Sequence, residues 1–281
     1  MDLSQRFLFD ATDIRGDIVQ IKSSYRDLVA NHDYPPEVQR LLGEFVVAGL
    51  LLGSTIKFEG RLILQVRSQG PIPLLMVEIT HDHTFRGIAR LVEAADLTGQ
   101  DFSALFATGS LVVTVDPDEG ERYQSLVPMD GANLAECLMH YFAQSEQLST
   151  WLLLASDDHG AAGFLLQQLP KQLTQSDKQR ELDWQHARVM GESLRTEELR
   201  TLSVEQILNR LYHDQAVRLM TDNAVAFRCT CSKSRMAGAL VSLGEEELDD
   251  LFKEQDQVEL TCEFCNSQYS FDRAGIYTAV T

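Results

Sequence analysis

Apolar and polar positions alternate with a period of two in several short stretches of this chain, and that alternation predicts strands. Leu62, Leu64 and Val66 interleave with Ile63, Gln65 and Arg67, and after a break at Gly70-Pro71 a second run extends from Ile72 to Thr80. Leu111 to Val115 and Arg122 to Val127 form a hairpin pair around the turn-rich Asp116-Pro117-Asp118-Glu119-Gly120. Gly16 to Ile21 reads as a short strand, and Trp151 to Ala155 and Gly163 to Leu169 as two late ones around Asp157-Asp158-His159-Gly160. Helices are predicted over Ser24 to Asn31, over Ala132 to Gln144, and from Pro36, whose missing N–H costs nothing in a first turn. The long helix opened by Pro36 carries Val38, Leu41, Leu42, Phe45, Val46, Gly49, Leu50 and Gly53, apolar over much of its surface and therefore buried. Hairpins with helices that do not strictly alternate predict an α+β fold for residues 1–177, a mixed domain of antiparallel sheets and helices.

The pattern changes after Pro170. Between Lys178 and Asp222 lie seven basic and eight acidic residues, with Gly191 the only glycine and no proline. Ser203-Val204-Glu205-Gln206 is a capping box before Ile207, Leu208, Leu211 and Tyr212. Residues 178–222 thus read as a charged, amphipathic helical linker with a thin apolar face, whose helices hold only while docked on something else. The alternative is a small stable helical subdomain. Residues 223–281 are too few for a generous core and call for a staple such as a metal. Within them Ser234 to Leu243 and Glu245 to Lys253 read as helices split by Gly244, and Val258 to Thr261 and Gln268 to Phe271 as hairpin strands with Cys262 to Asn266 at the tip.

A length of 281 residues with 44% hydrophobic and 23% charged positions fits a soluble globular protein and excludes wholesale disorder. The net charge of −18 argues against nucleic acid as a partner, since phosphate binding needs a basic surface. The longest apolar run, Phe45 to Leu52, falls short of the roughly 20 residues of a membrane span, so no membrane role is expected. The start of the chain lacks the basic and extended apolar segments of a secretory signal, and a cytoplasmic location is the expectation.

Cysteine placement carries the chemistry. Cys137 stands alone in a predicted helix and reads as an inert core thiol. The other four lie within 37 residues, as Cys229-Thr-Cys231 and Cys262-Glu-Phe-Cys265. In a reducing compartment such a cluster binds metal or senses redox state rather than forming permanent disulfides. Two cysteine pairs can supply the tetrahedral thiolate set that zinc prefers, one ion per chain. The Cys-x-Cys spacing and the gap of thirty residues set the site apart from an ordinary zinc ribbon. Four thiolates around Zn²⁺ leave a charge of −2, which Arg228, Lys233 and Arg235 are placed to offset. A passive zinc staple is one reading. A switch is the other, because a Cys-x-Cys disulfide closes a small, strained and reducible ring, and losing the ligands would unfold a module that folds on its metal.

Other candidates in the sequence are weaker. His81-Asp82-His83 lies in a turn without an evident third ligand, and Asp10, Asp13 and Asp17 fit turn chemistry near Gly16 better than a pair of catalytic carboxylates. Gly49 and Gly53 read as close packing, and no nucleotide-binding loop or hydrolase elbow is present.

Cys229-Thr-Cys231 with Cys262-Glu-Phe-Cys265-Asn266, behind a charged linker and a mixed domain, resembles the redox-regulated heat-shock chaperones of thirty-three kilodaltons. Phe58-Glu59-Gly60-Arg61-Leu62, Gln65-Val66-Arg67-Ser68, Arg86-Gly87-Ile88-Ala89-Arg90, Tyr141-Phe142-Ala143-Gln144-Ser145-Glu146-Gln147 and Phe227-Arg228-Cys229 extend the likeness over nearly the whole chain. The resemblance implies a non-enzymatic, ATP-independent holdase, inactive while Cys229, Cys231, Cys262 and Cys265 hold zinc. It further implies that hypochlorite, or peroxide with heat, forms Cys229–Cys231 and Cys262–Cys265 disulfides, expels zinc and unfolds the linker. The opened protein would then dimerise, hold unfolded clients and hand them to ATP-dependent foldases. A thiol-disulfide oxidoreductase using Cys262 and Cys265, or a zinc-stapled adaptor, is the alternative.

Overall fold

The computed structural model describes residues 2–173 and 175–280. The chain divides into two compact units, Met1–Phe227 and Arg228–Thr281.

The first unit is built around a helix. It opens with β1 (Leu3–Phe9), β2 (Ile14–Ile21), α1 (Ser23–Val29) and α2 (Pro36–Thr55), the last with proline in its first turn as predicted. There follow β3 (Gly60–Arg67), β4 (Leu74–Thr80), β5 (Thr84–Arg90), α3 (Phe102–Leu105), β6 (Ser110–Pro117), β7 (Tyr123–Pro128), α4 (Leu134–Tyr141) and a π-helical turn, Phe142–Glu146. β8 (Thr150–Ser156) and β9 (Ala161–Gln168) then precede α5 (Asp177–Glu192), α6 (Thr196–Thr201), α7 (Val204–Tyr212), β10 (Val217–Leu219), β11 (Asn223–Ala224) and β12 (Ala226–Phe227). One sheet runs β10-β1-β2-β9-β8 with β11 also on β1, and the other β12-β5-β4-β3-β6-β7. All pairs are antiparallel except β12 with β5. The fold is α+β, as the mixture of hairpins and helices predicts.

Both sheets press on α2, and glycines set the distance of approach. A Cβ on Gly163 of β9 would fall 2.4 Å from Val47 Cγ1, and one on Gly49 would fall 2.7 Å from Ile79 Cγ1 of β4. Gly49 therefore is a close-packing residue, whereas a Cβ at Gly53 would make only ordinary contact at 3.7 Å. By length and composition α2 could cross a membrane, but most of it, from Val38 to Leu52, is buried inside the unit, as in a core helix.

The linker helices lie on the face of the first sheet opposite α2. Phe7, Phe9, Ile18, Phe164 and Leu166 from the sheet form one buried cluster with Trp184, Leu194, Leu199, Ile207, Leu208, Leu211 and Tyr212. The apolar face of the linker is thus fuller than its sequence implies, although Val189 is 60% exposed. Polar contacts fasten the same surface. Gln20 Nε2 donates to the carbonyls of Leu199 (2.6 Å) and Leu202 (2.8 Å), Arg180 pairs with buried Asp13, and Arg200 pairs with Asp157. Ser203 and Gln206 form the predicted capping box of α7.

Three features depart from expectation. β1 and β5 carry no clean alternation and were missed. The linker is not helical to its end, because β10 within it, and β11 just beyond residue 222, pair with β1, whose outer edge would otherwise leave its backbone groups unpaired. Asp17 lies on the strand expected over Gly16 to Ile21, so turn chemistry does not apply to it; it is 1% exposed and paired with Arg6 at 3.2 Å.

The second unit holds α8 (Lys233–Val241), α9 (Glu245–Glu254), β13 (Val258–Thr261), β14 (Gln268–Phe271) and α10 (Arg273–Val280), the last unforeseen. Its core is small: Ala237, Leu240, Leu248, Val258, Phe271 and Ile276.

Candidate metal centre

A hairpin tip and a loop converge in the second unit. β13 and β14 pair in the register Thr261 with Gln268, so the chain must reverse across Cys262 to Ser267. The reversal is closed by two backbone bonds, Cys262 N–H to Ser267 O (2.9 Å) and Asn266 N–H to Cys262 O (2.8 Å). Asn266 takes a φ of 54°, the left-handed conformation that asparagine tolerates better than most side chains. This knuckle brings Cys262 and Cys265 to one side. Cys229 and Cys231 arrive on the loop before α8, where Ser232 caps the helix by accepting from the Arg235 amide.

All four sulfurs lie within 4.8 Å of one another, the one such group of ligand side chains among the described residues. Cys229 and Cys262 sulfurs are 3.7 Å apart, and those of Cys231 and Cys265 are 3.4 Å apart. Neither separation is a disulfide. Both approach the edge, about 3.8 Å, of a tetrahedron of sulfurs drawn ~2.3 Å from a central ion. The four cysteines therefore could hold a metal ion, and a set of four soft sulfur donors suits a closed structural site.

The surroundings differ from sulfur to sulfur. Burial pushes the Cys229 thiol up to about 12. Burial also acts upward on Cys265, but hydrogen bonds from the side chain and backbone of Ser267 outweigh it and bring the thiol down to about 7. The Ser267 hydroxyl lies 3.2 Å from Cys265 Sγ, and the Tyr269 hydroxyl lies 3.1 Å from Cys231 Sγ. Neither neighbour was foreseen. Their signal is the predicted hairpin itself, which returns residues 267–269 alongside the cysteines at its tip. Of the basic residues expected to offset thiolate charge, Arg235 donates to the Thr230 carbonyl between Cys229 and Cys231 (2.8 Å), while Lys233 stands over the Phe271 ring at 5.6 Å.

The remaining candidates disperse. Cys137 is fully buried, receives the Gly131 amide at 3.3 Å, and has its thiol pushed up by burial, as befits an inert core residue. His81 accepts the Gly60 amide on Nδ1 (3.1 Å), a structural contact at the β4–β5 turn. Asp10, Asp13 and Asp17 engage Arg218, Arg180 and Arg6 separately and do not form a carboxylate pair. Cys262 and Cys265 sit between two strands and not at a helix start, the setting that activates an oxidoreductase thiol.

Residues 2–272 match the sequence profile described as Hsp33 protein. A 33 kDa chaperonin of Pseudomonas paraeruginosa is 46% identical over 276 residues, 98% of this chain and 93% of its own length. That of Ectopseudomonas mendocina is 45% identical over 276 residues, covering 98% and 94%. The crystal structure of the 33 kDa chaperonin of Thermotoga maritima shares the fold, with a TM-score of 0.79 at 20% identity, over 100% of this chain and 98% of the other.

Proposed function

Because this chain belongs to the Hsp33 family of chaperones, we propose that it is a redox-regulated, ATP-independent holdase whose switch is the four-cysteine cluster. The observation that carries the reading is the convergence of Cys229, Cys231, Cys262 and Cys265 within 4.8 Å in a unit with a very small core. Zinc, when bound there, supplies folding free energy that this core cannot supply alone.

The resting state is reduced. Peroxide reacts with a cysteine sulfur, which takes one oxygen as the O–O bond breaks and hydroxide leaves. The second sulfur of the pair then displaces hydroxide from that sulfenic acid to form the disulfide. Each pair gives up two electrons, and one peroxide with two protons becomes two waters. The pairs, following the family resemblance, are Cys229–Cys231 and Cys262–Cys265. Both disulfides together remove all four ligands, and residues 223–281 lose their staple.

The linker follows because of how the chain runs. Between α7 and Cys229 the chain is held by three very short strands, β10, β11 and β12, at sheet edges. Each contributes few hydrogen bonds, so unfolding that begins at Cys229 can peel them away in order and reach the helices of residues 178–222. Undocking exposes two apolar surfaces at once, the linker face with Trp184, Leu199 and Leu211 and the sheet face with Phe7, Phe9 and Phe164. These are the surfaces we assign to unfolded clients. The net charge of −18 keeps the opened form dispersed. Residues 1–177 remain as the scaffold through which the active form dimerises before clients pass to ATP-dependent foldases, in the cytoplasm.

One sample tests the proposal. Zinc release and suppression of thermal aggregation of citrate synthase are measured before and after peroxide with mild heat, and limited proteolysis maps the cut sites. Activation should accompany zinc release and new cleavage within residues 178–222. Equal suppression in both states would remove the switch.

A further inference from the structure

We infer that Tyr269 is a positioning residue of the cluster: its hydroxyl donates a hydrogen bond to Cys231 Sγ, restrains that sulfur against oxidant and strengthens its hold on metal. The inference rests on the redox-switch reading and adds to it a residue outside the ligand set. The contact is 3.1 Å. A sulfur that ligates metal carries no proton, so the phenol must be the donor.

Local sequence builds the placement. On β14 Tyr269 pairs with Leu260, and residues two apart share a face, so Tyr269 points to the same side as Phe271. Phe271 is buried in the core of the unit beneath Lys233, and the ring of Tyr269 packs against the same cluster. The ring is thereby fixed and its hydroxyl is held at Cys231. Outer-shell hydrogen bonds of this kind orient a ligand and tune its basicity. Electron density drawn toward the phenol makes the sulfur a poorer nucleophile toward peroxide, and the fixed ring holds that sulfur in place beside the other three.

Cys265 has a comparable neighbour in Ser267 Oγ at 3.2 Å, but Ser267 is exposed, where water can replace a lost hydroxyl. Tyr269 is half-buried, and its loss is harder to repair. Of the two sulfurs beside a hydroxyl, Cys231 is therefore the one more dependent on its neighbour.

Tyr269→Phe removes the hydroxyl and keeps the ring. On the full-length zinc-loaded protein, competition with a chromophoric chelator should show affinity reduced about 10-fold. Zinc release in peroxide at mild heat, followed with the same chromophore, should accelerate about 3- to 10-fold, against less than about 2-fold for Ser267→Ala. Alkylation by iodoacetamide, read by peptide mass spectrometry, should speed up at Cys231 selectively. A uniform gain at all four cysteines would mean that the variant only loosens the unit, and unchanged rates at Cys231 would mean that the hydroxyl has no hold on it; either overturns the inference. Failure of the wild-type protein to release zinc in peroxide would instead overturn the switch reading, and the affinity and alkylation comparisons would still decide the role of Tyr269.

Discussion

Asp17 shows what a single residue gains from its neighbours. It lies on β2 with Arg6 at 3.2 Å from Oδ1, while Oδ2 is buried without a hydrogen-bond partner. Burial raises this carboxyl to about 6 despite the Arg6 and Arg15 charges, and burial likewise raises Glu44 of α2 to about 7 against Arg40. Both lie above the ordinary 3.8 and 4.5 of the unfolded chain, so the folded protein binds these protons more tightly. The stabilisation is fully present below about pH 4 and is lost as pH rises through about 6 to 7, on the order of 3 kcal/mol for Asp17. Urea unfolding followed through Trp151 and Trp184, both in the first unit, should therefore show greater stability at about pH 5.5 than at about pH 7.5. Asp17→Asn with Glu44→Gln should flatten that difference, and an unchanged slope would refute the assignment. The strand at Asp17 was legible in the sequence but its burial was not, because strand pairing and the end of α2 surround it with protein.

At the scale of elements, two contacts decide how layers meet. Gln20 reaches from β2 across the linker interface to the carbonyls of Leu199 and Leu202. Gln20→Ala leaves both without that donor and should cost about 1–3 kcal/mol of docking. Hydrogen exchange should then quicken in α6 and the start of α7 but not in α2. On the other face of the sheet, Gly163 lets Val47 and Leu51 of α2 approach to where a Cβ would sit at 2.4 and 2.7 Å. Gly163→Ala should destabilise the first unit by about 1–3 kcal/mol through overpacking, measured as a lower urea midpoint. The start of α7 was legible from its Ser203–Gln206 capping box, and the helical character of residues 178–222 from a stretch without proline and with Gly191 its one glycine. The strands β10 and β11 were not, since each is only two or three residues long and exists because β1 offers an edge.

For the whole molecule, the two units differ in what holds them. The first has two extensive apolar clusters, one around α2 and one beneath the linker helices. The second has, among the described residues, a core of six buried apolar side chains and the cysteine cluster. Stripping metal with a strong chelator under reducing conditions should thus abolish exchange protection in β13, β14 and α8 while α2, β3 and β9 keep theirs. Retained protection in the second unit would show that its core suffices without metal. The four ligands were legible because Cys-x-Cys and Cys-x-x-Cys are local patterns with one dominant chemistry. Their neighbours Tyr269 and Ser267 were only implicit in the hairpin that returns them.

The α+β class, the buried helix from Pro36, the charged helical stretch after Pro170 and the metal-binding capacity of the cysteine pairs are legible in the sequence alone. Each is written in periodicity, caps or spacing over a few residues. Tertiary structure alone decided that the linker covers a sheet face, that its tail joins that sheet as strands, and that Asp17, Gln20 and Tyr269 matter. Those facts depend on residues far apart in the chain meeting across layers, where burial and hydrogen-bond geometry, and not local pattern, set the energy.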